Sequence, residues 1–208
     1  SIREAVKNNR RFDIEYRIVR ADGSIRHVWE RGTNISHDTF DILEGFIQDV
    51  TERKQADEAL REAERRYRSI FENAIEGIYQ STPSNGYLAV NPALARMYGY
   101  DSPQELISTL RDIDHQVYVD PQRRLEFKRL MSKHGVVTNF ESRVHRRNGE
   151  IIWISENARS VYNSDGSLLF FEGTVEAITE RKLHEAEIQF QATHDALTGL
   201  PNLSLIHI

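Results

Sequence analysis

The sequence contains no cysteine among its 208 residues. This absence excludes disulfides, thiolate metal sites, cysteine nucleophiles and cysteinyl-flavin photochemistry. No apolar run approaches the roughly 20 residues that a membrane-spanning helix needs. The formal net charge of −5 provides no basic field that would attract a phosphate backbone. We therefore expect no nucleic acid partner, no membrane segment and a cytoplasmic location, in line with an ordinary globular composition.

The sequence also lacks the common patterns of catalytic sites. It has no glycine-rich phosphate loop, no nucleophile elbow and no carboxylate pair at a catalytic spacing. None of the eight histidines is spaced from another as metal ligands are. We predict no catalytic residues, no metal site and no turnover by this chain itself.

An internal repeat organises the chain. The segment Phe12–Ile35 aligns with Thr138–Val161, with charged residues and glycines at matching positions. Further along, Thr51–Lys54 matches Thr179–Lys182, because both segments read TERK. Such self-similarity indicates two copies of one structural unit.

Each copy has the pattern of a β-hairpin followed by a third strand. Asp22-Gly23 and Asn148-Gly149 lie between alternating apolar runs. These dipeptides favour hairpin turns because both central residues tolerate positive φ. The third strand is predicted at Leu43–Val50 in the first copy and at Leu168–Ile178 in the second.

The segment between the copies has helical periodicity. Asp49 and Glu52 have the spacing of a capping box, so the helix should begin near Val50. Its apolar residues recur at alternating spacings of four and three, at Ala56, Leu60, Ala63, Tyr67, Ile70 and Ala74. This stripe either packs on its own domain or forms a parallel coiled coil between two protomers.

The region after the linker combines short strands with short helices. Strands are predicted at Gly77–Gln80 and Tyr87–Val90. Asn91, Ser102 and Asp120 each precede a proline, which is typical of helix starts. The predicted order is two strands, several short helices, three strands and an exit helix, which is an α+β arrangement.

This order resembles the PAS fold, and the segments Phe71–Ile78, Val90–Tyr100 and Arg147–Trp153 carry the resemblance. The resemblance implies a five-stranded antiparallel sheet with short helices on one face. The implied parts are the C-terminal half of a first PAS domain (its PAC region) at residues 1–54, a linker or signalling helix at 50–70, a complete second PAS domain at 67–182 and an exit helix at 179–197.

In PAS domains an Asp-Ile-Thr triplet couples the last strand to the exit helix. The first copy keeps this triplet as Asp49-Val50-Thr51, whereas the second has Ala177-Ile178-Thr179. The resemblance assigns signal coupling to Asp49, Thr51, Glu52, Thr179 and Glu180. Because the second copy lacks the capping carboxylate, we expect weaker coupling at its exit.

The segment from residue 193 to residue 202 is similar to the opening of diguanylate cyclase domains of the GGDEF family. The junction residues are His194, Asp195, Leu197, Thr198, Gly199, Leu200, Pro201 and Asn202. The resemblance implies a parent protein that makes cyclic-di-GMP, with or without a phosphodiesterase domain of the EAL family. A PAS tandem that serves only dimerisation or docking, or the sensor of a histidine kinase, is the alternative.

Both ends of the sequence look unnatural. It opens at Ser1 within a segment of helical pattern, Ile2–Asn8, and the GGDEF signature itself does not occur. We expect a fragment truncated at both ends, with the start of a GGDEF domain at 193–202 and an artefactual tail at 203–208. The question whether the parent protein has a membrane anchor upstream stays open.

A pocket is expected inside the second domain. Strand alternation and helix spacing place seven residues inward, namely Ile78, Leu88, Met97, Tyr118, Phe127, Trp153 and Phe171. They either fill the core or surround a small-molecule ligand.

No cofactor is expected in this pocket. His115 lies where some PAS proteins place a haem ligand, but its acidic neighbours are typical of a surface histidine. Haem and flavin are both disfavoured. The expected partner is a second copy of the chain, which forms a homodimer through the PAS domain and the linker helices.

Overall fold

The computed structural model describes residues 11–37, 40–84 and 86–194. The chain divides into two compact units, Ser1–Arg68 and Ser69–Ile208. The predicted helix at Ile2–Asn8, the junction residues from Asp195 to Asn202 and the tail at 203–208 lie outside the described residues.

The first unit contains a three-stranded antiparallel sheet. Its strands are β1 (Phe12–Val19), β2 (Ile25–His37) and β3 (Phe40–Asp49), in the order β1-β2-β3. The predicted β1–β2 turn has positive φ at both central residues, Asp22 and Gly23. In the structure only Gly23 of these two has a positive φ, of 81°. The amide of Gly23 donates to the carbonyl of Arg20, which is typical of a type I turn followed by a left-handed glycine.

Helix α1 (Thr51–Asn73) follows this sheet and begins one residue after the predicted start. The Asp49 carboxylate accepts a hydrogen bond from the Thr51 amide at 3.0 Å and so caps the helix. The apolar stripe faces solvent, with Leu60, Tyr67 and Ile70 each at least 60% exposed. The stripe is therefore mostly exposed at these three positions.

The second unit has the predicted element order. Its elements are β4 (Gly77–Ser81), β5 (Tyr87–Val90), α2 (Pro92–Tyr98), α3 (Pro103–Thr109), α4 (Ile113–Gln116), α5 (Pro121–His134), β6 (Val136–His145), β7 (Ile151–Tyr162), β8 (Leu168–Ala177) and α6 (Thr179–Thr193). The five strands form an antiparallel sheet in the order β5-β4-β8-β7-β6. The α+β prediction, with a five-stranded sheet and short helices, is confirmed.

Local sequence signals set the helix boundaries of this unit. The side chains of Asn91, Ser102 and Asp120 each cap the helix that follows. Helices α2 and α5 end at Gly99 and Gly135, both with left-handed backbone. The helix starts predicted at Asn91, Ser102 and Asp120 are confirmed.

Asn91 also joins the helical segment to the sheet. It is fully buried, and its Oδ1 accepts hydrogen bonds from the amides of Leu94 and Ile78, each at 2.9 Å. Its Nδ2 donates to the carbonyl of Glu76. One side chain therefore holds the start of α2 against the start of β4.

The core lies between these helices and one face of the sheet. Its most deeply buried apolar side chains include Leu94, Leu106, Val144, Ile154 and Val175, each no more than 1% exposed. The core is incompletely filled, and the remaining space is the candidate site.

Candidate functional site

A cavity of about 340 Å³ lies inside the second unit. Strands β4, β5, β7 and β8 line one side of it, and helices α2, α4 and α5 contribute to the other. Its volume is at the lower end of the range of about 300–1,000 Å³ that is typical of small-molecule sites.

The buried carboxylate of Glu156 lies at the cavity wall. Glu156 is only 5% exposed, because β7 alternates and turns Ile152, Ile154 and Glu156 toward the core. Its Oε1 accepts a hydrogen bond from the Tyr79 hydroxyl at 2.5 Å, and its Oε2 accepts one from the Tyr118 hydroxyl at 2.7 Å. These two donors compensate part of the cost of burying the charge.

The tyrosines around Glu156 are held in their neutral form. Burial raises the pKa of Tyr79 and of Tyr118 well above the ordinary value, and the negative charge of Glu156 raises both further. Burial is also the main reason that the pKa values of Tyr87 and Tyr98 are raised. All four hydroxyls therefore remain hydrogen-bond donors at neutral pH.

Two cations of α5 line the same cavity. The buried Arg124 donates from Nε to Asp114 at 2.6 Å, and Lys128 forms a second ion pair with Asp114. Burial alone would lower the pKa of Arg124, but Tyr118, Asp114 and Glu156 outweigh it and raise the pKa. The guanidinium also lies 5.0 Å from the Tyr118 ring centroid.

A glycine of β8 makes room for one of these tyrosines. A Cβ atom at Gly173 would lie 2.9 Å from the hydroxyl oxygen of Tyr79 and 2.4 Å from the carbonyl oxygen of Asn157. Gly173 matches Gly45 in the repeat, and a Cβ there would likewise lie 2.5 Å from a backbone oxygen, that of Arg31. The matched glycines thus mark a close approach of neighbouring strands.

Three of the seven residues predicted to face inward line the cavity, namely Tyr118, Phe127 and Phe171. Met97 is half-buried and packs against the core without lining the cavity. Whether any of them contacts a ligand stays a prediction.

The other three predicted residues, Ile78, Leu88 and Trp153, do not line the cavity. Leu88 is 51% exposed, so its inward placement is wrong. On β4 and β5 the neighbouring Tyr79 and Tyr87 point inward instead. Because side chains alternate, choosing an aliphatic residue over the adjacent tyrosine reverses the face of the whole strand.

The sequence prediction missed the polar part of the cavity, formed by Tyr79, Tyr87, Tyr98, Arg124 and Glu156. The available signal was alternation on β7, since Ile152 and Ile154 place Glu156 on the apolar face. His115 lies on the surface, with its Nδ1 2.7 Å from the Asp112 carboxylate.

A second candidate site lies where the sheet joins the exit helix. The Thr179 hydroxyl accepts a hydrogen bond from the Trp153 amide at 2.9 Å. In the first unit, Thr51 accepts one from the His27 amide at 2.8 Å. The two predicted coupling threonines therefore occupy equivalent positions.

The caps of the two helices differ as expected from the sequence. Asp49 caps α1, whereas α6 has no side-chain cap hydrogen bond at Ile178. Glu52 and Glu180 are exposed in the first turns of their helices, where the helix dipole stabilises a negative charge.

An ion-pair cluster connects β6 to α6 at the second exit. Glu141 on β6 contacts Lys182 at 2.6 Å and Arg181 at 2.7 Å, both on α6. The hydrogen bond from Lys182 lowers the pKa of Glu141, and the pKa of Lys182 is raised by the same contact. The matched residues Glu15 and Lys54 pair in the first unit. These partners of the exit helices were not identified from the sequence.

At the other end of α6, His194 is the last residue that the structure describes. Its ring stacks on Phe190 with centroids 4.1 Å apart. Across the described ranges, no group of three or more His, Asp or Glu side chains is placed to hold a metal ion. The same ranges contain no helix that is both long and apolar enough to cross a membrane.

The family model described as PAS fold matches residues 1–45 and 87–175, which is more than half of the chain. The chain therefore belongs to the PAS fold family, and it is a sensor module of a signalling protein. An RNA-binding light-oxygen-voltage receptor is similar in structure, with a TM-score of 0.52 and 13% identity over 92% of this chain and 84% of that one. This last likeness concerns the fold alone.

Two curated proteins align with almost the whole chain. The uncharacterized protein y4lL of Sinorhizobium fredii is 28% identical over 201 residues, which are 92% of this chain and 24% of the relative. The probable diguanylate cyclase DgcE of Escherichia coli is 24% identical over 203 residues, which are 97% of this chain and 18% of the relative. The chain thus spans less than a quarter of the length of either relative.

Proposed function

We propose that this chain is the sensory region of a bacterial protein that controls cyclic-di-GMP synthesis by a diguanylate cyclase domain of the GGDEF family. The observation that carries the proposal is the alignment with a probable diguanylate cyclase over 97% of the chain. The sequence of residues 193–202 supports it, since this segment resembles the opening of such a domain and comes directly after α6.

In this proposal the cavity detects a small molecule and α6 transmits the signal. A ligand beside Glu156 displaces β7, and β7 also carries Trp153, whose amide is bonded to Thr179 at the start of α6. The contacts of Glu141 with Arg181 and Lys182 tie the same helix to β6. A shift of the sheet therefore changes the direction of α6, and binding selects one helix geometry.

The proposal includes a homodimer. The exposed stripe of Leu60, Ala63, Tyr67 and Ile70 on α1 has the alternating spacing of three and four that a second, parallel copy would bury. Intrahelical ion pairs, Glu62–Arg66 and Glu64–Arg68, keep the flanks of the stripe polar. Two helices held in this way would control how closely two GTP-loaded cyclase domains approach each other.

The test uses the full-length parent protein. We expect it to convert GTP to cyclic-di-GMP, and we expect Glu141→Gln to change the rate without changing GTP affinity. Glu176→Gln, at an exposed position of β8, is the matched control and should leave the rate unaltered. A full-length protein with no cyclase activity would overturn the proposed output, and equal rates for all three proteins would overturn the coupling.

A further inference from the structure

We propose that the cavity beside Glu156 binds a neutral, planar nitrogen heterocycle of one or two rings, and that a ring N–H of this ligand donates a hydrogen bond to the Glu156 carboxylate. This inference rests on the proposed sensory function and names the chemical class of its ligand.

Among the polar groups at the cavity wall, the Glu156 carboxylate is an acceptor. Each carboxylate oxygen of Glu156 accepts one tyrosine hydroxyl, from Tyr79 or from Tyr118. A carboxylate oxygen has about two acceptor positions, so both oxygens retain capacity for a further donor. The two tyrosines use their protons on Glu156 and turn lone pairs to their surroundings. A ligand that enters here therefore gains most by donating.

The walls of the cavity favour a flat ligand. Tyr79 and Tyr87 meet edge to face with centroids 5.8 Å apart, and Tyr98, Phe127 and Phe171 add further rings to the lining. Aromatic side chains stack or make edge contacts with a ring at little entropic cost. A cavity of about 340 Å³ accommodates one or two fused rings rather than a large cofactor.

The charges of the lining favour a neutral ligand. Glu156 and the Arg124 and Lys128 side chains line the cavity, and both cations pair with Asp114 behind them. The two negative and two positive charges balance. An ammonium ligand at Glu156 would share the cavity with two cations, and an anion would share it with a buried carboxylate. Neither charge sign is favoured as strongly as a neutral N–H donor.

Indole and N-methylindole test the inference, because they differ only at the ring nitrogen. Titration calorimetry on the full chain should show that indole binds about tenfold or more tightly than N-methylindole, the difference typical of one hydrogen bond to a charged group. Glu156→Gln should reduce this preference, because the neutral amide oxygen is a weaker acceptor than the carboxylate, while Glu176→Gln should preserve it. The change in this affinity ratio between the unsubstituted protein and Glu156→Gln separates the hydrogen bond from the bulk of the methyl group.

Several outcomes would overturn the inference. No indole binding at millimolar concentration, or equal affinities of the two probes, would contradict the N–H contact. Tighter binding of tryptamine would indicate a site for organic cations, and tighter binding of indole-acetate would indicate an anion site at Arg124. If Glu156→Gln does not fold by circular dichroism, Tyr118→Phe replaces it, with an increased preference expected because Glu156 then lacks one of its two donors; an unchanged or lost preference would contradict the N–H contact.

These measurements require no output domain. A failure here would leave the proposed control of a cyclase intact, and a parent protein without cyclase activity would leave the ligand class intact.

Discussion

The side-chain hydroxyl of Thr179, the first residue of α6, accepts a hydrogen bond from the backbone amide of Trp153 on β7. The Ile178 amide donates to the Trp153 carbonyl at 2.8 Å, so the same residue of β7 is held on both of its backbone groups. His27 has the equivalent two contacts with Thr51 and Val50. The repeat therefore reproduces a joint between the sheet and a helix.

Replacing Thr179 by Val should loosen this joint. Valine keeps the shape of threonine but leaves the Trp153 amide without its side-chain acceptor, so we expect a loss of about 1 kcal/mol in the free energy of unfolding. Amide hydrogen exchange at Trp153 should accelerate. Thr138→Val, at an exposed position of β6, is the control, and unchanged exchange at Trp153 would contradict the role of the hydroxyl.

Restoring the missing cap should stabilise the second exit. Ala177 pairs with Ile154 as Asp49 pairs with Val28, so an aspartate at position 177 would be placed to accept from the Thr179 amide. We expect Ala177→Asp to stabilise the second unit by about 0.5–2 kcal/mol in urea unfolding. Ser164→Asp, in the β7–β8 turn, adds the same charge away from a helix start. Equal effects of both substitutions would argue against capping.

The boundaries of the fold were predictable because they depend on local chemistry. Asn91 and Ser102 cap helices through their own side chains, and Gly135 supplies a left-handed end, so a short segment contains the full signal. The two copies of the repeat also agree with each other. The turns predicted at Asp22-Gly23 and at Asn148-Gly149 both contain a glycine with left-handed backbone.

The cavity was less predictable because its side chains violate the apolar-inside rule. Glu156 is buried with hydrogen bonds from Tyr79 and Tyr118, which lie 77 and 38 positions away in the sequence. A pattern search that ranks Leu88 above Tyr87 therefore selects the wrong face of β5, although Leu88 is the exposed residue. Such a long-range polar pair has no local signal.

The Glu141–Lys182 contact should give the second unit a defined pH dependence. The pKa of Glu141 is lowered below 4.5, so its contribution to stability is complete above that value and is lost as the pH falls through the lowered pKa. The pKa of Lys182 is raised above 10.5, so its contribution is lost only as the pH rises through the raised value.

Urea unfolding of Glu141→Gln and of the unsubstituted protein should therefore differ at neutral pH and converge in acid. We expect the difference to fall as the pH decreases below 4.5. Glu176→Gln, whose carboxylate is exposed, should show no such convergence. A difference between the Glu141→Gln and unsubstituted proteins that stays constant from neutral to acidic pH would show that the ion pair does not cause it.

The stripe on α1 gives the dimer a direct test. Leu60 is 69% exposed, and if a second copy covers it, Leu60→Glu would bury an unpaired charge at the centre of the contact. Such a charge costs about 3 kcal/mol or more, which corresponds to more than about a hundredfold in the dissociation constant. Light scattering of chromatographed protein should show a dimer for the unsubstituted chain and a monomer for Leu60→Glu. Glu58→Gln, on another face of α1, should remain dimeric, because its side chain lies off the stripe. A Leu60→Glu protein that stays dimeric would place the contact between protomers elsewhere, and the control of cyclase approach would then have to act through a different element of the module.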